Sequence, residues 1–237
     1  NHNVMLIGPP GSGKTMMARR IKTIMPDLDK DEMMEISKIY SIAGLINNNI
    51  GIINKRPFRA PHHSATNVSL IGGGAKAIPG EIVLAHRGVL FLDEIAEFNK
   101  KTLEMLRQPI EDGEINLSRL KFYVKYPCNI LIIAAMNPCP CGYFMSNIEC
   151  KCTEYEMTRY RNKVSDRFDI FLDVVPIEFG DFKDNNFTET SKTIKNRVQE
   201  AKNIQRKRFE NSDIKNNNEI KSYQINKYCK LDEDASK

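Results

Sequence analysis

The chain has 237 residues, 41% of them hydrophobic and 27% charged, with a formal net charge of +5. These proportions are typical of a globular protein in water, and the length allows one full α/β core with room for a small second domain. The longest apolar run, at residues 130–136, is far shorter than the roughly 20 residues of a membrane-spanning helix, which excludes a helical membrane protein. No signal peptide is recognisable, which predicts a cytoplasmic location. Because the first strand begins only three residues in, we expect a piece of a longer protein.

The first predicted element is a short buried strand, Val4–Ile7, and a glycine-rich turn follows it directly. The turn has the spacing Gly-x4-Gly-Lys-Thr, and an amphipathic helical pattern begins where it ends. Strand, turn and helix in this order predict a phosphate-binding P-loop, because glycines let backbone N–H groups turn toward a polyphosphate and the helix N-terminus adds its positive dipole end. The P-loop residues are Gly8, Pro9, Pro10, Gly11, Ser12, Gly13, Lys14 and Thr15.

Two side chains of the P-loop are predicted to bind the ligand directly. Lys14 reaches the β- and γ-phosphates, and the hydroxyl of Thr15 ligates Mg²⁺. An ordinary glycine turn is the alternative, but such a turn rarely lies between an apolar strand and an amphipathic helix. The sequence therefore predicts a nucleoside triphosphate site, with ATP and Mg²⁺ as cofactors.

The segment after the P-loop helix is less strongly patterned. A second helix is predicted at residues 29–43, because acidic residues occupy its first turn and a glycine follows it. Residues 56–63 are too rich in proline for a helix interior, and residues 70–80 are predicted to form a flexible loop or a hairpin tip. His62 and His63 lack an obvious carboxylate or thiol nearby in the sequence, so packing or substrate contact is expected of them rather than metal binding.

An apolar run at residues 88–92 is followed by two carboxylates, Asp93 and Glu94. Parallel α/β sheets place their ligands at the carboxyl ends of strands, so both side chains are expected at the nucleotide. Asp93 suits a water-mediated contact with Mg²⁺, and Glu94 suits the base that polarises the attacking water. A strand ending in Asp-Glu is common by itself, but after a P-loop it indicates a Walker B motif. A helix and then a projecting hairpin at residues 114–126 are expected next.

Another buried strand begins at Asn129 and ends at Asn137, which would lie beside the γ-phosphate and orient water. Cys-x-Cys, eight residues and a second Cys-x-Cys follow at once. In a reduced compartment four thiols this close together suggest a structural Zn²⁺ site, although the spacing is tighter than the usual two to four residues. The alternatives are reduced thiols in a surface excursion or a pair oxidised on handling. The four residues are Cys139, Cys141, Cys150 and Cys152.

The last third of the chain predicts a helix at residues 154–164, a strand at residues 166–175 and a long helix at residues 188–209. A further helix is predicted at residues 219–228. From Lys183 to Lys230 there are 12 Lys and Arg against 6 Asp and Glu, a local balance of +6. Such a basic segment either faces nucleic acid or is the solvated surface of a helix.

P-loop, Asp93-Glu94 and Asn137, in that order on successive strands, resemble the AAA+ ATPases. The linking residues are similar to those of the magnesium-chelatase-like subfamily, and within it to the group of ComM (YifB-type) competence proteins. The matching segments are Arg56-Pro-Phe-Arg-Ala-Pro-His-His, Gly72-Gly-Gly, Pro79-Gly-Glu-Ile, Ala85-His-Arg-Gly-Val-Leu-Phe-Leu-Asp-Glu and Asn137-Pro-Cys-Pro-Cys-Gly.

This resemblance implies an α/β P-loop NTPase fold, with a three-layer αβα core around a parallel sheet and a small, truncated helical lid. The core would span residues 1–180, with a Cys-rich insertion at residues 138–153, and the partial lid residues 181–237. The family assembles as hexameric rings, in which Arg167 matches the arginine finger that completes a neighbour's ATP site. Family members usually carry a short loop where Ser165 here abuts Asp166, and no residue is assigned to the family's lid arginine.

The resemblance also predicts what the protein does. We expect an ATP-hydrolysing ring motor that remodels DNA, as in the branch migration associated with ComM during natural transformation. The candidate DNA contacts are Lys76 in the glycine-rich segment and Arg119, Lys121 and Lys125 in the hairpin. One alternative is a chelatase motor subunit that drives Mg²⁺ into a porphyrin; the other is an ATP-gated scaffold without turnover.

Overall fold

A computed structural model describes residues 2–46, 51–74, 76–119, 122–144, 146–163, 168–176, 189–212, 214 and 216–230. The chain divides into two compact units, described here one at a time. The larger unit contains residues 2–23 and 27–188, and the smaller contains residues 24–26 and 189–237. Within the described residues, no helix has both the length and the apolar character needed to cross a bilayer.

The larger unit alternates strands and helices along most of its length. Its strands are β1 (Val4–Ile7), β2 (Phe58–Arg59), β3 (Gly72–Gly73), β4 (Ile78–Pro79), β5 (Val89–Leu92), β6 (Glu114–Arg119), β7 (Phe122–Pro127), β8 (Leu131–Met136) and β9 (Ile170–Asp173). Its helices are α1 (Lys14–Ile24), α2 (Lys30–Ile42), α3 (Asn67–Ile71), α4 (Glu81–Leu84), α5 (Lys100–Met105), α6 (Arg107–Asp112) and α7 (Glu154–Asn162).

The main sheet has five parallel strands in the order β2-β5-β8-β1-β9. The connection that leaves β1 runs toward β2, whereas the connection that leaves β8 runs the other way, over β1 to β9. Because parallel crossovers are right-handed, connections in opposite directions place their helices on opposite faces of the sheet. The direction of the connections therefore reverses between the neighbouring strands β1 and β8. Open α/β sheets bind ligands at such a point, in the crevice at the carboxyl ends of the strands.

The three central strands are almost continuously apolar because helices cover both faces of the sheet. Their buried residues include Met5, Leu90 and Ile132, each with no more than 1% of its surface exposed. Helix α2 packs Ile39 into the same core and begins with a capping box, in which the Asp29 carboxylate accepts from the Glu32 N–H at 2.9 Å. The predicted α/β fold, with a parallel sheet that follows a P-loop strand and a C-terminal helical segment, is confirmed.

The structure forms a hairpin at residues 114–127, where one is predicted, and another at residues 70–80, where a flexible loop or a hairpin tip is predicted. Residues 70–80 contain the antiparallel pair β3–β4, and residues 114–127 contain β6–β7. The hydroxyl of Tyr126 in β7 donates to the backbone oxygen of Ala77 at 2.9 Å, so the two hairpins contact each other.

The smaller unit contains α8 (Ser191–Arg208), two 3-10 turns at Asn217–Glu219 and Ser222–Gln224, and α9 (Ile225–Tyr228). Thr190 caps the N-terminus of helix α8, because its hydroxyl accepts from the Thr193 N–H. The predicted continuous helix at residues 219–228 is wrong. The backbone of Ile220 and Lys221 is extended there, because the Lys221 N–H bonds to the Gln224 side chain and starts a separate turn.

Candidate nucleotide-binding site

The P-loop lies at the carboxyl end of β1, beside the reversal point of the sheet. The Gly8 N–H donates to the Met136 oxygen of β8 at 3.3 Å. A Cβ on Gly8 would lie 2.2 Å from the backbone oxygen of Val174, so only glycine fits at this point. Gly11 and Gly13 have φ angles of 79° and 88°, which other residues rarely adopt. The neighbouring strand ends therefore hold the entry of the loop, and the positive φ angles of its glycines produce its curvature.

The polar groups inside the P-loop are arranged as an anion site needs. The Ser12 side chain is 5% exposed, and its hydroxyl is one of the buried polar atoms without a hydrogen-bond partner among the described residues. The Lys14 ammonium donates to the backbone oxygens of Gly8 at 2.7 Å and Pro9 at 2.9 Å. Burial lowers the pKa of Lys14, while Asp93 and Glu94 act to raise it. An orphaned hydroxyl and a buried cation in one loop fit a polyphosphate.

The predicted Mg²⁺ ligands lie in direct contact. The Thr15 hydroxyl, in the first turn of α1, donates to the Asp93 carboxylate at 2.8 Å, although the two residues are 78 positions apart. Asp93 follows the last residue of β5, so the fold brings the P-loop helix and this strand end together. A hydroxyl and a carboxylate side by side are the hard oxygen ligands that Mg²⁺ prefers.

Glu94 adopts the left-handed conformation, with φ 50° and ψ 46°. This conformation costs about 1–2 kcal/mol for a residue other than glycine. Its side chain is 61% exposed, and one carboxylate oxygen lies 3.5 Å from His63 Nδ1. Glu94 thus turns away from its neighbour Asp93, whose other oxygen accepts from the Glu94 N–H at 3.0 Å.

The contact between His63 and Glu94 is the feature of this site that sequence reasoning missed. The carboxylate that was absent near His63 in the sequence comes from the next strand of the sheet, because β2 pairs with β5. The His63 ring lies 4.1 Å from the His62 ring and meets Phe98 edge-on at 6.4 Å. Predicting β2 as a strand would have revealed the contact between His63 and Glu94. The sequence does not indicate this strand, because β2 has two residues and follows a proline.

Of the two remaining candidate catalytic residues, the structure describes Asn137 but not Arg167. Asn137 follows the last residue of β8, Met136, which pairs with Ile7 at the end of β1. Its place between the ends of β1 and β5 is the one expected for a residue near the γ-phosphate. Arg167 lies outside the described residues, so its role stays a prediction.

The four clustered cysteines come together in three dimensions. We call residues 138–153 the thiol lobe. Sγ atoms of Cys139, Cys141 and Cys150 are 3.4–3.7 Å apart, and with Cys152 all four lie within 4.8 Å of one another. Each is a free cysteine. The backbone N–H of Tyr143 bonds to Cys141 and lowers its pKa to about 6, which favours the thiolate that a metal binds. The thiol lobe can hold a metal ion.

The structure describes the side chains of two of the four candidate DNA-contact residues, Lys76 and Lys125. Lys76 is exposed, next to the buried Ala77. Lys125 forms an ion pair with Glu114 across the hairpin. Lys121 and the side chain of Arg119 lie outside the described part of the chain.

The chain matches two family models over nearly its whole length. The model described as "Magnesium chelatase, subunit ChlI" matches residues 1–182, and "Magnesium chelatase, subunit ChlI C-terminal" matches residues 188–237.

Two curated relatives agree with this match. The chain is 44% identical to the uncharacterized protein YifB of Escherichia coli (strain K12) over 245 residues, covering 99% of the chain and 46% of that protein. It is 39% identical to competence protein ComM of Haemophilus influenzae over 242 residues, again covering 99% of the chain and 46% of the relative. Among solved structures, NtrX from Brucella abortus in complex with ATP is 17% identical, with a TM-score of 0.42, and the match covers 73% of this chain and 33% of that one. The chain thus spans about half the length of the curated relatives it matches.

Proposed function

The chain belongs to the magnesium chelatase subunit ChlI family, in the group that includes YifB and ComM, and from this premise we propose that it is the ATP-hydrolysing module of a DNA-remodelling motor. The observation that carries the proposal is the contact between Thr15 and Asp93 at 2.8 Å, beside the buried Lys14. This contact joins the P-loop helix to a carboxylate at the end of β5, which is separated from β1 in the sheet by β8. Such a combination has the parts that phosphoanhydride hydrolysis requires.

Each residue of the site has a proposed task. Backbone N–H groups from Gly11 to Thr15 and the Lys14 ammonium would bind the phosphates, and Thr15 with Asp93 would hold Mg²⁺. The bound ion would neutralise the charge that develops on the phosphate oxygens.

The other tasks concern the attacking water. Glu94 would take its proton, and Asn137 would orient it. Arg167 would act on the site of a neighbouring subunit.

The organisation of the full protein extends this proposal. We take residues 1–180 as the nucleotide-binding core and residues 181–237 as part of a lid, in a subunit of a homo-hexameric ring in the cytoplasm. The smaller compact unit, which contains residues 189–237, supports this division.

DNA is the substrate that we propose for the ring, and ComM's name as a competence protein supports it. The two contacting hairpins would present Lys76 and Lys125 to the phosphate backbone. Lys76 is the better candidate, because Glu114 already pairs with the Lys125 ammonium.

A chelatase motor is the second candidate, because the matching family model is named for magnesium chelatase. In that case the ring would drive Mg²⁺ into a porphyrin on a partner protein. The intact Glu94 and Asn137 favour either motor over a scaffold without turnover.

One experiment separates these functions. The ATPase rate of the full-length protein is measured alone, with single-stranded or branched DNA, and with protoporphyrin. Stimulation by DNA, together with binding that weakens steeply as salt rises, is expected for the DNA motor. Stimulation by protoporphyrin alone would favour the chelatase, and no turnover under any condition would favour the scaffold.

Zn²⁺ is the metal that we propose for the thiol lobe. Four thiolates are a typical set of structural zinc ligands and leave no position open for catalysis. Protein purified without chelator should contain about one zinc per chain by elemental analysis.

A further inference from the structure

We propose that metal bound in the thiol lobe holds the P-loop in the shape that binds nucleotide, so that the affinity for ATP depends on the metal. This inference rests on the proposed ATP site. It adds that the two sites are coupled, which neither the P-loop nor the cysteine cluster indicates by itself.

The cysteine geometry matches a four-coordinate metal. For a tetrahedral Zn²⁺ with Zn–S bonds of about 2.3 Å, neighbouring sulfur atoms lie about 3.8 Å apart. The observed Sγ separations are 3.4 Å for Cys139 to Cys141, 3.6 Å for Cys141 to Cys150 and 3.7 Å for Cys139 to Cys150. Two arms of the lobe, separated by eight residues, therefore already place their sulfur atoms where one ion reaches them.

Part of the cluster is enclosed by the protein. Cys139 has 0% of its surface exposed, and its sulfur accepts from the Phe144 N–H at 3.4 Å. Backbone N–H groups directed at sulfur stabilise the negative charge of a thiolate. The buried arm of the lobe is the arm that follows Asn137.

The buried arm also touches the P-loop. Gly142 lies so close to Pro10 that a Cβ would be 3.3 Å from its Cγ and Cδ atoms, and 3.6 Å from Asn137 Nδ2. Gly142 has a φ angle of 83° and directly follows Cys141. The turn that carries two of the cysteines thus packs against both the phosphate-binding loop and the proposed water-orienting residue.

The two arms meet at their cysteine sulfur atoms. In the described residues 138–144 and 146–153, the backbone forms turns such as Gly142 N–H to Cys139 oxygen at 3.0 Å, without a helix or strand. The Arg161 guanidinium contacts the Pro138 oxygen at 3.4 Å and lies 5.6 Å from the centre of the Phe144 ring, which ties the first arm to α7. A segment without a hydrophobic core obtains its stability from the metal that cross-links it.

The test measures zinc content and nucleotide affinity in the full-length protein. The double variant Cys150→Ser/Cys152→Ser alters the arm opposite the Gly142 contact, and Cys229→Ser, an exposed cysteine outside the lobe, is the matched control. We expect the double variant to lose its zinc and to bind a fluorescent ATP analogue at least about tenfold more weakly, within the range seen when metal-supporting groups are lost. The control should keep both properties.

Two further measurements separate a specific effect from misfolding. Chelation should weaken nucleotide binding by the wild-type protein, and added Zn²⁺ should restore it. Gly142→Ala should keep its zinc and still bind nucleotide more weakly, because the new methyl group presses on Pro10 from a backbone conformation that alanine resists.

Each contrary result has a distinct meaning. Unchanged nucleotide affinity in zinc-free double variant or chelated protein would overturn the coupling and leave the ATP site intact. Absence of zinc from the wild-type protein would also overturn it. Failure of the proposed function is a different result, namely no nucleotide binding by the zinc-loaded wild-type protein.

Discussion

At the end of β5, two adjacent carboxylates have different partners. Asp93 accepts from Thr15, and Glu94, in a left-handed conformation, lies beside His63. The positive φ of Glu94 lets the chain turn between the two residues, so that the Asp93 carboxylate faces Thr15 and the Glu94 carboxylate stays largely exposed beside His63. Strain of this kind is common at active sites, where it fixes the direction of a reacting group.

Lys14 and Glu94 should have separable effects. Lys14→Ala is expected to abolish nucleotide binding, because it removes the ammonium that the P-loop offers to the phosphates. Glu94→Gln should keep binding and reduce hydrolysis by about 10²–10⁴-fold, since it removes a general base. Nucleotide titration and steady-state ATPase assays measure the two effects, and equal loss of binding in both variants would contradict the assignment.

His63 should act by positioning Glu94. His63→Ala is expected to lower kcat about tenfold with little change in KM, as when a group that orients another is removed. His62→Ala is the control, because His62 stacks on the same ring but bonds to Ser64 at 2.7 Å. A rise in KM at constant kcat would instead indicate a contact with substrate.

At the scale of elements, a partly buried cluster of polar side chains joins α2 to the turn after α4. The Glu35 carboxylate accepts from Arg87 Nε at 2.8 Å and from His86 Nε2 at 3.0 Å. His86 Nδ1 accepts from the Asn129 N–H at 3.1 Å, which places the imidazole proton on Nε2. Burial lowers the pKa of His86, so the ring stays neutral. The cluster fixes the turn that leads into β5 and the Asp93-Glu94 pair.

Glu35 should make stability depend on pH. Its hydrogen bond with Arg87 lowers its pKa from 4.5 to about 2, so its contribution is complete above pH 4.5 and is lost as the pH falls toward 2. Glu35→Gln is expected to lower the free energy of unfolding at neutral pH by about 1 kcal/mol, a value reduced for solvent screening because the side chain is 40% exposed.

Denaturant unfolding at several pH values measures this effect. The difference from wild type should shrink as the pH falls below 4.5. Glu104→Gln, which breaks an exposed pair with Lys100, is the control and should change little. A difference that is constant with pH would show that packing rather than charge is responsible.

At the scale of the whole molecule, the chain spans about half of its curated relatives, so assembly is a property to test in the full-length protein. Arg167→Ala should leave the nucleotide affinity of a monomer unchanged and remove ATPase activity that depends on the ring. Mixing it with Glu94→Gln subunits should restore part of the turnover, because an intact Arg167 then meets an intact Glu94 across an interface. Rings that form without any restored turnover would contradict an action in trans.

Local patterns determined much of the site. The P-loop, the Asp93-Glu94 pair and the strands β1, β5 and β8 were all predictable, because each is a contiguous run whose residue types suit one conformation and one chemistry. The cysteine pairs were likewise visible as four thiols within 14 residues. The resemblance to a known family supplied the three-layer architecture around a parallel sheet and the roles assigned across subunits.

Tertiary structure alone decided the contacts between segments far apart in the chain. Short, proline-flanked β2 has no periodicity to reveal it, yet its pairing with β5 brings His63 to Glu94. The close approach of Gly142 to Pro10 was also not predictable, because the local sequence at both positions indicates only a turn. The physical reason is that periodicity reports which face of a segment is buried, whereas strand order and close packing decide what that face meets.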